Sequence, residues 1–227
     1  MRPIRIGPLF FFFFYLFLAI IGMSFISRFW APTGGLKIIY LVIVFYVWAI
    51  SIYRIWFSVF GFKEGPITPF SKDEFNYQIY ACIQMFLVGP WIYSSILPPP
   101  IQTFFYRLLV LKIGKKSFIT GIICDPHLVE IGEKSFTGAG SMLVSHVMED
   151  EKLEHHKIIL GHHVTVGAGA IVLAGCKIND YAIVAAQSLV KKNTVIGSYE
   201  IWGGVPAKKI GTRSDEIIKQ ETSYNLT

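Results

Sequence analysis

Charged side chains are scarce in this sequence. Asp, Glu, Lys and Arg make up 16% of its 227 residues, against about 25% in an average soluble domain. The mean hydropathy of the chain is +0.51. Disordered chains combine low hydrophobicity with high charge, so the composition excludes a disordered protein and argues against a wholly soluble one.

Cysteine is also rare. The three cysteines, Cys82, Cys124 and Cys176, lie far apart and form no ligand-like spacing. The sequence therefore predicts neither a disulfide framework nor a zinc cluster, and no metal.

Acidic residues are nearly missing from the first half of the chain. Residues 1–112 contain 9 Lys or Arg and 3 Asp or Glu, whereas residues 113–227 contain 12 of each, and 17 of the 19 Phe precede residue 113. The basic residues separate apolar runs instead of forming a patch, as in membrane proteins and not in nucleic-acid-binding ones. We therefore expect a membrane domain over 1–112 and a second domain over 113–212.

Two uncharged or nearly uncharged runs are long enough to cross a bilayer, Leu9 to Ile26 and Ile38 to Phe60. A signal peptide is the alternative for the first run, because Arg2 and Arg5 precede it. The run is too long for that, and no small-residue cleavage site follows. The sequence predicts a hairpin of two transmembrane helices.

The segment from Phe75 to Leu97 leaves the number of spans open. It is apolar but contains Gly89-Pro90 and the amide side chains of Asn76, Gln78 and Gln84. Three alternatives therefore stay open: a third span, a kinked helix or an interfacial element. Residues 101–112 read as a short amphipathic connector. Arg2 and Arg5 favour a cytoplasmic N-terminus. From there, two spans would return the second domain to the cytoplasm, whereas three would place it outside.

The second half carries a repeat of six residues. From Leu160 one apolar residue recurs every six positions, at Leu160, Val166, Val172, Ile178, Val184, Val190, Ile196 and Trp202. The same phase occurs upstream, at Ile113, Ile119, Ile131, Thr137 and Leu143, with Asp125 in place of one member. This period fits a three-sided coil of six residues a side, with the apolar residue inside and Gly at tight corners that need positive φ. A β-sandwich with chance spacing is the alternative.

The hexads, the run Val166 to Gly175 and the ending Gly203-Gly-Val-Pro-Ala-Lys-Lys209 resemble the hexapeptide-repeat acyltransferases. The resemblance covers about 113–212. It implies a left-handed parallel β-helix, a homotrimer with sites between subunits, and acetyl-CoA or another acyl-CoA as cosubstrate. The full fold expectation is N-terminal transmembrane α-helices, then this all-β coil, then a short C-terminal helix over 213–227 capped by Ser214.

The repeat breaks between Leu143 and Leu160, where a polar loop is inserted. The resemblance implies that His146, just before the loop, is a general base, and an imidazole suits that role. His155 and His156 are expected at the loop rim, and His162 and His163 at a solvent-facing corner.

The resemblance also implies a set of cosubstrate contacts. The pantetheine arm would pass Ala168 and Ala186, and the phosphates would meet Lys191, Lys192 and Lys208. Gln187 and Lys191 stand where the family more often has Gly and Thr.

Two other functions compete with the acyltransferase. A gamma-class carbonic anhydrase-like protein would need metal-ligating His where this chain has Ala168 and Leu173. A non-catalytic trimeric scaffold on a membrane base is the third class. We predict a membrane-anchored acetyltransferase with its coil in the cytoplasm, no nucleic-acid partner, and a small-molecule or lipid-linked acceptor.

Overall fold

The computed structural model describes residues 6–29, 32–93, 97–150 and 152–213. These residues form two compact units, a helical unit over 6–93 and a coil unit over 97–149 and 153–213.

The helical unit begins with two long apolar helices, α1 (Ile6–Phe29) and α2 (Leu36–Phe60). They are antiparallel neighbours, because the Tyr15 hydroxyl donates to the Ala49 carbonyl at 2.7 Å and the Trp48 indole donates to the Leu18 carbonyl at 3.2 Å. Only 22% of the most apolar window of α1 and 11% of that of α2 are buried inside the protein. Both helices are long and apolar enough to cross a membrane, so the predicted helical hairpin is confirmed as two apolar helices.

The remainder of the helical unit is short strand β1 (Gly65–Ile67), helix α3 (Lys72–Ile83), a π-helical turn (Gln84–Val88) and α4 (Gly89–Ile92). The segment that the sequence left open is thus an interrupted helix. In the described part of the chain, only α1 and α2 have the length and hydropathy of a membrane span.

The coil unit opens with helix α5 (Pro99–Leu108) and continues as a three-sided parallel coil. The first face contains β2 (Lys112–Ile113), β5 (Val129–Ile131), β10 (Ile158–Leu160), β13 (Lys177–Ile178) and β16 (Val195–Ile196). The second contains β3 (Phe118–Ile119), β6 (Phe136–Thr137), β11 (Thr165–Val166), β14 (Ile183–Val184) and β17 (Glu200–Gly203). The third contains β4 (Ile122–Ile123), β7 (Met142–Val144), β12 (Ile171–Leu173) and β15 (Leu189–Val190).

The predicted hexad residues form the core of this coil. Val166, Val172, Ile178, Val184, Val190 and Ile196 are all 0% exposed. Eighteen residues separate Leu160 from its partner Ile178 on the next turn, whereas 29 separate Ile131 from Leu160. The difference is the predicted insertion, which forms the hairpin of β8 (His146–Glu149) and β9 (Lys152–His155).

The phase predicted around Asp125 is wrong. Ile123, not Asp125, pairs with Leu143 and fills the inward position of that column. A 3-10 turn, Pro126–Leu128, follows and supplies the extra residues before β5. Asp125 lies at the corner just after β4, buried at 1% exposure.

Positive φ, the predicted reason for the corner glycines, holds at Gly140, Gly169 and Gly175 but is wrong for the glycines that directly follow an inward residue. The left-handed backbone is adopted two residues later, by non-glycine residues at equivalent corners: Lys116, Lys134, His163, Tyr181 and Tyr199. At Gly167, a Cβ atom would lie 2.4 Å from the backbone N of Ala186 on the next turn. These glycines are needed because adjacent turns approach closely, not because φ is positive.

Helix α5 covers the first turn of the coil. The Thr103 hydroxyl accepts a hydrogen bond from the Ile119 N–H at 2.9 Å, and the Tyr106 hydroxyl accepts one from the Ile123 N–H at 2.8 Å. Gln102 donates to the Gly121 carbonyl at 3.0 Å. The connector thus satisfies backbone groups at the end of the coil that no preceding turn could pair.

The last turn ends in an antiparallel partner strand, β18 (Lys208–Thr212), which pairs with β17. Glu200 accepts hydrogen bonds from Lys209, from the Trp202 indole and from the Gly197 N–H, all at 2.8 Å. These contacts lower the pKa of Glu200 to about 2, with the Lys209 contact as the largest cause. The predicted C-terminal helix at Ser214 lies outside the described residues.

Candidate active site

One corner of the coil, at the end of the third face, brings the predicted base together with two of the predicted cosubstrate lysines. Ile123, Leu143, Val172 and Val190 pair in one column, turn by turn. Two residues further along, the same corner therefore stacks Asp125, Ser145, Ala174 and Lys192. His146 leaves the coil at this corner, as the first residue of β8.

His146 and Asp125 form a hydrogen-bonded pair. The Nδ1 atom of His146 lies 2.7 Å from Oδ2 of Asp125. The Asp125 side chain is 2% exposed and the His146 side chain 34% exposed. The hydrogen bond to Asp125 raises the pKa of His146, against the opposing effect of burial. A carboxylate accepts, so Nδ1 carries the proton and Nε2 is left as the basic nitrogen.

Two further histidines lie close to this pair and were not predicted there. His155 is 0% exposed, so its predicted position at the loop rim is wrong. Burial lowers the pKa of His127 and of His155 to about 4, while the charge of Asp125 opposes the shift in both. Both rings are therefore neutral at neutral pH and contribute no positive charge to the site. His156 is half-buried, with Nε2 3.0 Å from Glu154.

The neighbouring cysteine is not a nucleophile. Burial, with a smaller effect of Asp125, raises the pKa of Cys124 to about 12. The thiolate is the reactive form of cysteine, so this side chain is inert at neutral pH. Cys124 therefore offers no thiolate at this corner at neutral pH.

The inserted hairpin reaches along the same corner. Glu149, at the end of β8, forms an ion pair with Lys192. Lys191 and Lys192, two of the residues predicted to contact phosphate groups, are both exposed. In this structure a carboxylate of the loop is thus paired with one of the three lysines predicted to bind phosphate.

The other predicted cosubstrate residues lie at the opposite end of the third face. Ala168 and Ala186 are exposed on adjacent turns, where the Gln187 N–H donates to the Ala168 carbonyl at 2.9 Å. Gly203, which pairs with Lys208, lies beside Ala185, so Lys208 belongs to this corner as well. Five to six residues of extended chain, roughly 16–20 Å, separate this corner from that of His146.

The histidines at the remaining corner have structural partners. The Glu133 N–H donates to Nδ1 of the exposed His162 at 3.1 Å. His163 stacks on Tyr181 at 4.5 Å between ring centroids, and Tyr181 stacks on Tyr199 at 4.9 Å. His163 is thus half-covered, and this aromatic column spans three turns.

The described residues contain no candidate metal site. No group of three or more His, Cys, Asp or Glu side chains in them is arranged to hold a metal ion. The carbonic anhydrase positions considered above hold Ala168 and Leu173, which have no ligating atom in their side chains.

Comparison with known proteins gives the following relatives. No family model matches the chain. It is 29% identical over 119 residues to the putative acetyltransferase YvoF of Bacillus subtilis (strain 168), a match that covers 50% of this chain and 68% of the relative. It is 38% identical over 100 residues to the mitochondrial gamma carbonic anhydrase 2 of Arabidopsis thaliana, covering 42% of this chain and 35% of the relative.

A shorter match is 45% identical over 60 residues to a chloramphenicol acetyltransferase of Morganella morganii, covering 26% of this chain and 28% of the relative. Among solved structures, the chain is similar to a hexapeptide-repeat acetyltransferase from Vibrio cholerae complexed with acetyl coenzyme A. That match has a TM-score of 0.49 at 17% identity and covers 61% of this chain and 90% of the other.

The matches differ in how much of each relative they span. The chain spans about a third of the carbonic anhydrase and about two thirds of YvoF. Two of the relatives above are acetyltransferases by name, one of them putative, and one is a gamma carbonic anhydrase.

Proposed function

We propose that this protein is an acyl-CoA-dependent acyltransferase that moves an acetyl group from acetyl-CoA to a hydroxyl or amine acceptor. The observation that carries the proposal is the pair formed by His146 and Asp125, 2.7 Å apart at the base of an inserted hairpin. A partly exposed imidazole oriented by a buried carboxylate is an arrangement that suits general-base catalysis. The acetyltransferase names among the relatives support the same reaction class.

His146 would act through its Nε2 atom. As the acceptor oxygen or nitrogen attacks the thioester carbonyl, Nε2 takes the acceptor's proton and later delivers it to the departing CoA sulfur. The electron pair of the broken C–S bond leaves with the sulfur, so CoA is released as the thiol. Asp125, as the hydrogen-bond partner of Nδ1, would keep the proton of the imidazole on that atom and stabilise the imidazolium that forms between the two transfers.

The cosubstrate would lie along the third face of the coil. Lys191, Lys192 and Lys208 are exposed and can donate to its phosphates. Because Lys208 lies at the opposite corner, the phosphates of one cosubstrate would contact Lys208 of one copy and Lys191 and Lys192 of a neighbouring copy. Ala168 and Ala186 support a pantetheine path, since exposed small side chains let a thin chain approach the backbone. Lys209 is already paired with Glu200, so Lys208 is the better candidate in its hairpin.

A homotrimer with sites between subunits would join the two separated corners. The outward side chains of two faces support it, because they form columns that are apolar apart from Thr165: Phe118, Phe136, Thr165, Ile183 and Ile201 on the second face, and Ile122, Met142, Ile171 and Leu189 on the third. The first face carries the charged residues Lys112, Glu130 and Lys177 in its outward column, together with the exposed Ile159 and Val195. Two largely apolar faces and one face with charged residues suit a ring in which each copy contacts two others.

The two apolar helices would anchor the enzyme in the cell membrane, with the coil in the cytoplasm, where acyl-CoA is found. Their low burial supports this, since exposed apolar helices of this length are stable in lipid and not in water. Anchoring favours an acceptor near the bilayer, such as a lipid-linked sugar.

The experiment that tests the proposal compares His146→Ala with His162→Ala in the detergent-purified full chain. CoA release is measured with acetyl-CoA and a panel of amino and hydroxyl sugars, including lipid-linked ones. We expect His146→Ala to lower transfer by about 10²-fold or more without loss of acetyl-CoA binding, while His162→Ala transfers like the unchanged protein. Equal turnover in the two variants would remove His146 from the reaction.

A further inference from the structure

The helical unit contains a cavity that the proposed reaction does not use. It is an open cavity of about 520 Å³, lined by residues of α1, of α2, of the first two turns of α3 and of the segment just before α3. Its walls are mainly aromatic, formed by Phe11, Trp56, Phe60 and Phe75. We call it the aromatic pocket. A cavity of this lining excludes charged or strongly hydrated ligands and accepts hydrocarbon.

The mouth of the aromatic pocket is polar and basic. Lys72 and Ser71 line it at the start of α3, and Asn76 follows one turn later. Lys72 is exposed. Among the residues that the structure describes, no carboxylate lies within ion-pair distance of its ammonium group. The apolar cavity therefore opens beside a positive charge that has no protein counter-ion there.

The pocket lies at one end of the helical hairpin. Phe11 is in the second turn of α1, and Trp56 and Phe60 are in the last two turns of α2. If the two helices span a bilayer, this end lies at the level where the hydrocarbon region meets the headgroups. A ligand could then enter from the lipid and leave its polar end beside Lys72.

An aromatic ring is held at the mouth by the local backbone. Phe70 is 77% exposed and has a φ of 64°. Its N–H donates to the buried Glu74 carboxylate at 2.6 Å, while the Ser71 hydroxyl accepts from the Glu74 N–H at 3.1 Å. An exposed phenyl ring in a left-handed conformation is unfavourable in water. At a membrane interface the ring would contact lipid instead.

We propose that the aromatic pocket binds one hydrocarbon chain of an anionic phospholipid from the surrounding bilayer, with the lipid phosphate against Lys72. The proposal rests on the membrane anchoring proposed above. The apolar wall selects a lipid chain, and the positive mouth selects a negative headgroup over a zwitterionic one. The site thereby distinguishes a bound lipid from the ordinary lipid that surrounds any membrane helix.

Native mass spectrometry of the full chain tests the proposal, after incubation with phosphatidylglycerol and phosphatidylcholine of identical acyl chains. We expect a retained phosphatidylglycerol molecule. Lys72→Glu should reduce the bound ratio of phosphatidylglycerol to phosphatidylcholine by about fivefold. Lys63→Glu is the matched control, since Lys63 is an exposed lysine nearby in the sequence that does not line the pocket. Asn76→Trp should block the chain and abolish retention, whereas Asn76→Ala should not.

Equal losses in Lys72→Glu and Lys63→Glu would show general charge attraction and overturn the site. Retention in Asn76→Trp equal to that in the unchanged protein would also overturn it. The anchor itself is tested separately, by resistance to alkaline extraction from pure phosphatidylcholine vesicles. A chain that resists extraction but retains no anionic lipid disproves the pocket and leaves the anchor intact. A chain that is extracted disproves the anchor first.

Discussion

Asp125 lies one turn of the coil below Ser145, and its carboxylate is 2.7 Å from Nδ1 of His146, the next residue. The carboxylate is buried and the imidazole is half-exposed. A buried charge is tolerated only where a partner compensates it, so the two side chains hold each other in place. The coil supplies the fixed end of the pair, and the inserted hairpin supplies the end that faces solvent.

Asp125→Asn should weaken transfer and change its pH dependence. The hydrogen bond to Asp125 raises the pKa of His146, and the base must be neutral to work, so transfer increases as pH rises through that pKa. Without the carboxylate the pKa falls, and the acid limb of the kcat/KM profile should move to lower pH. We expect the plateau to drop by about tenfold or more, because the imidazole loses its fixed tautomer. An acid limb that stays in place would contradict the pairing.

Glu149→Gln should strengthen cosubstrate binding. Glu149 pairs with Lys192, so it competes with any phosphate that binds this ammonium group. Exposed ion pairs contribute little, and the expected gain in affinity for CoA is about twofold to fivefold. Lys192→Met should instead weaken binding by about tenfold, with Lys177→Met on the charged face as the control. Titration calorimetry with CoA measures all three, and weaker binding in Glu149→Gln would refute the competition.

Two substitutions distinguish the two reasons why the coil contains glycine, namely close approach of adjacent turns (Gly167→Ala) and a positive φ (Gly140→Ala). At Gly167 a Cβ would lie 2.4 Å from the backbone of the next turn, whereas at Gly140 the nearest atom is 4.0 Å away but φ is +69°. We expect Gly167→Ala to cost about 3 kcal/mol of stability, since two turns must separate. Gly140→Ala should cost about 1 kcal/mol, the strain of the left-handed backbone. Thermal unfolding followed by the β-sheet circular dichroism signal ranks them, and the reverse order would disprove the close-approach account.

The coil should lose stability in mild acid. The pKa values of His127 and His155 are about 4 in the folded protein, against 6.5 for an ordinary histidine. Below pH 6.5 the unfolded chain therefore binds two protons that the folded chain does not, and the free energy of unfolding falls as pH falls. The slope between pH 6.5 and about 4 is up to about 2.7 kcal/mol per pH unit.

His146 does not add to that slope, because its raised pKa makes it protonated in both states below pH 6.5. His155→Gln should halve the slope, which chemical unfolding of the full chain at a series of pH values would measure. A slope that is the same in His155→Gln and in the unchanged chain would show that His155 titrates normally.

The repeat was predictable because its period is set by geometry that every turn shares. Each inward residue, such as Val172 or Ile178, repeats the same demand for an apolar side chain, and the pattern identifies the faces and the inserted hairpin. The two apolar helices were equally predictable, since length and hydropathy suffice to find them.

The corners were not predictable in the same way. Ile123, and not Asp125, fills the inward position here, because the 3-10 turn at Pro126 moves the repeat by two residues. A displacement of two residues leaves little trace in a single sequence. The depth of His155 depends on how the hairpin returns to the coil. The sequence did contain a signal for Asp125. A carboxylate that interrupts a largely apolar repeat indicates a polar partner, and that partner is His146, 21 residues later.

The measurement that tests the account most directly is a calorimetric titration of acetyl-CoA into the detergent-purified full chain, with Lys192→Met beside it. The account predicts saturable binding of one acetyl-CoA per chain, weakened in the variant. No heat of binding from a sample shown to be folded would contradict it, and the coil would then be a scaffold on a membrane base.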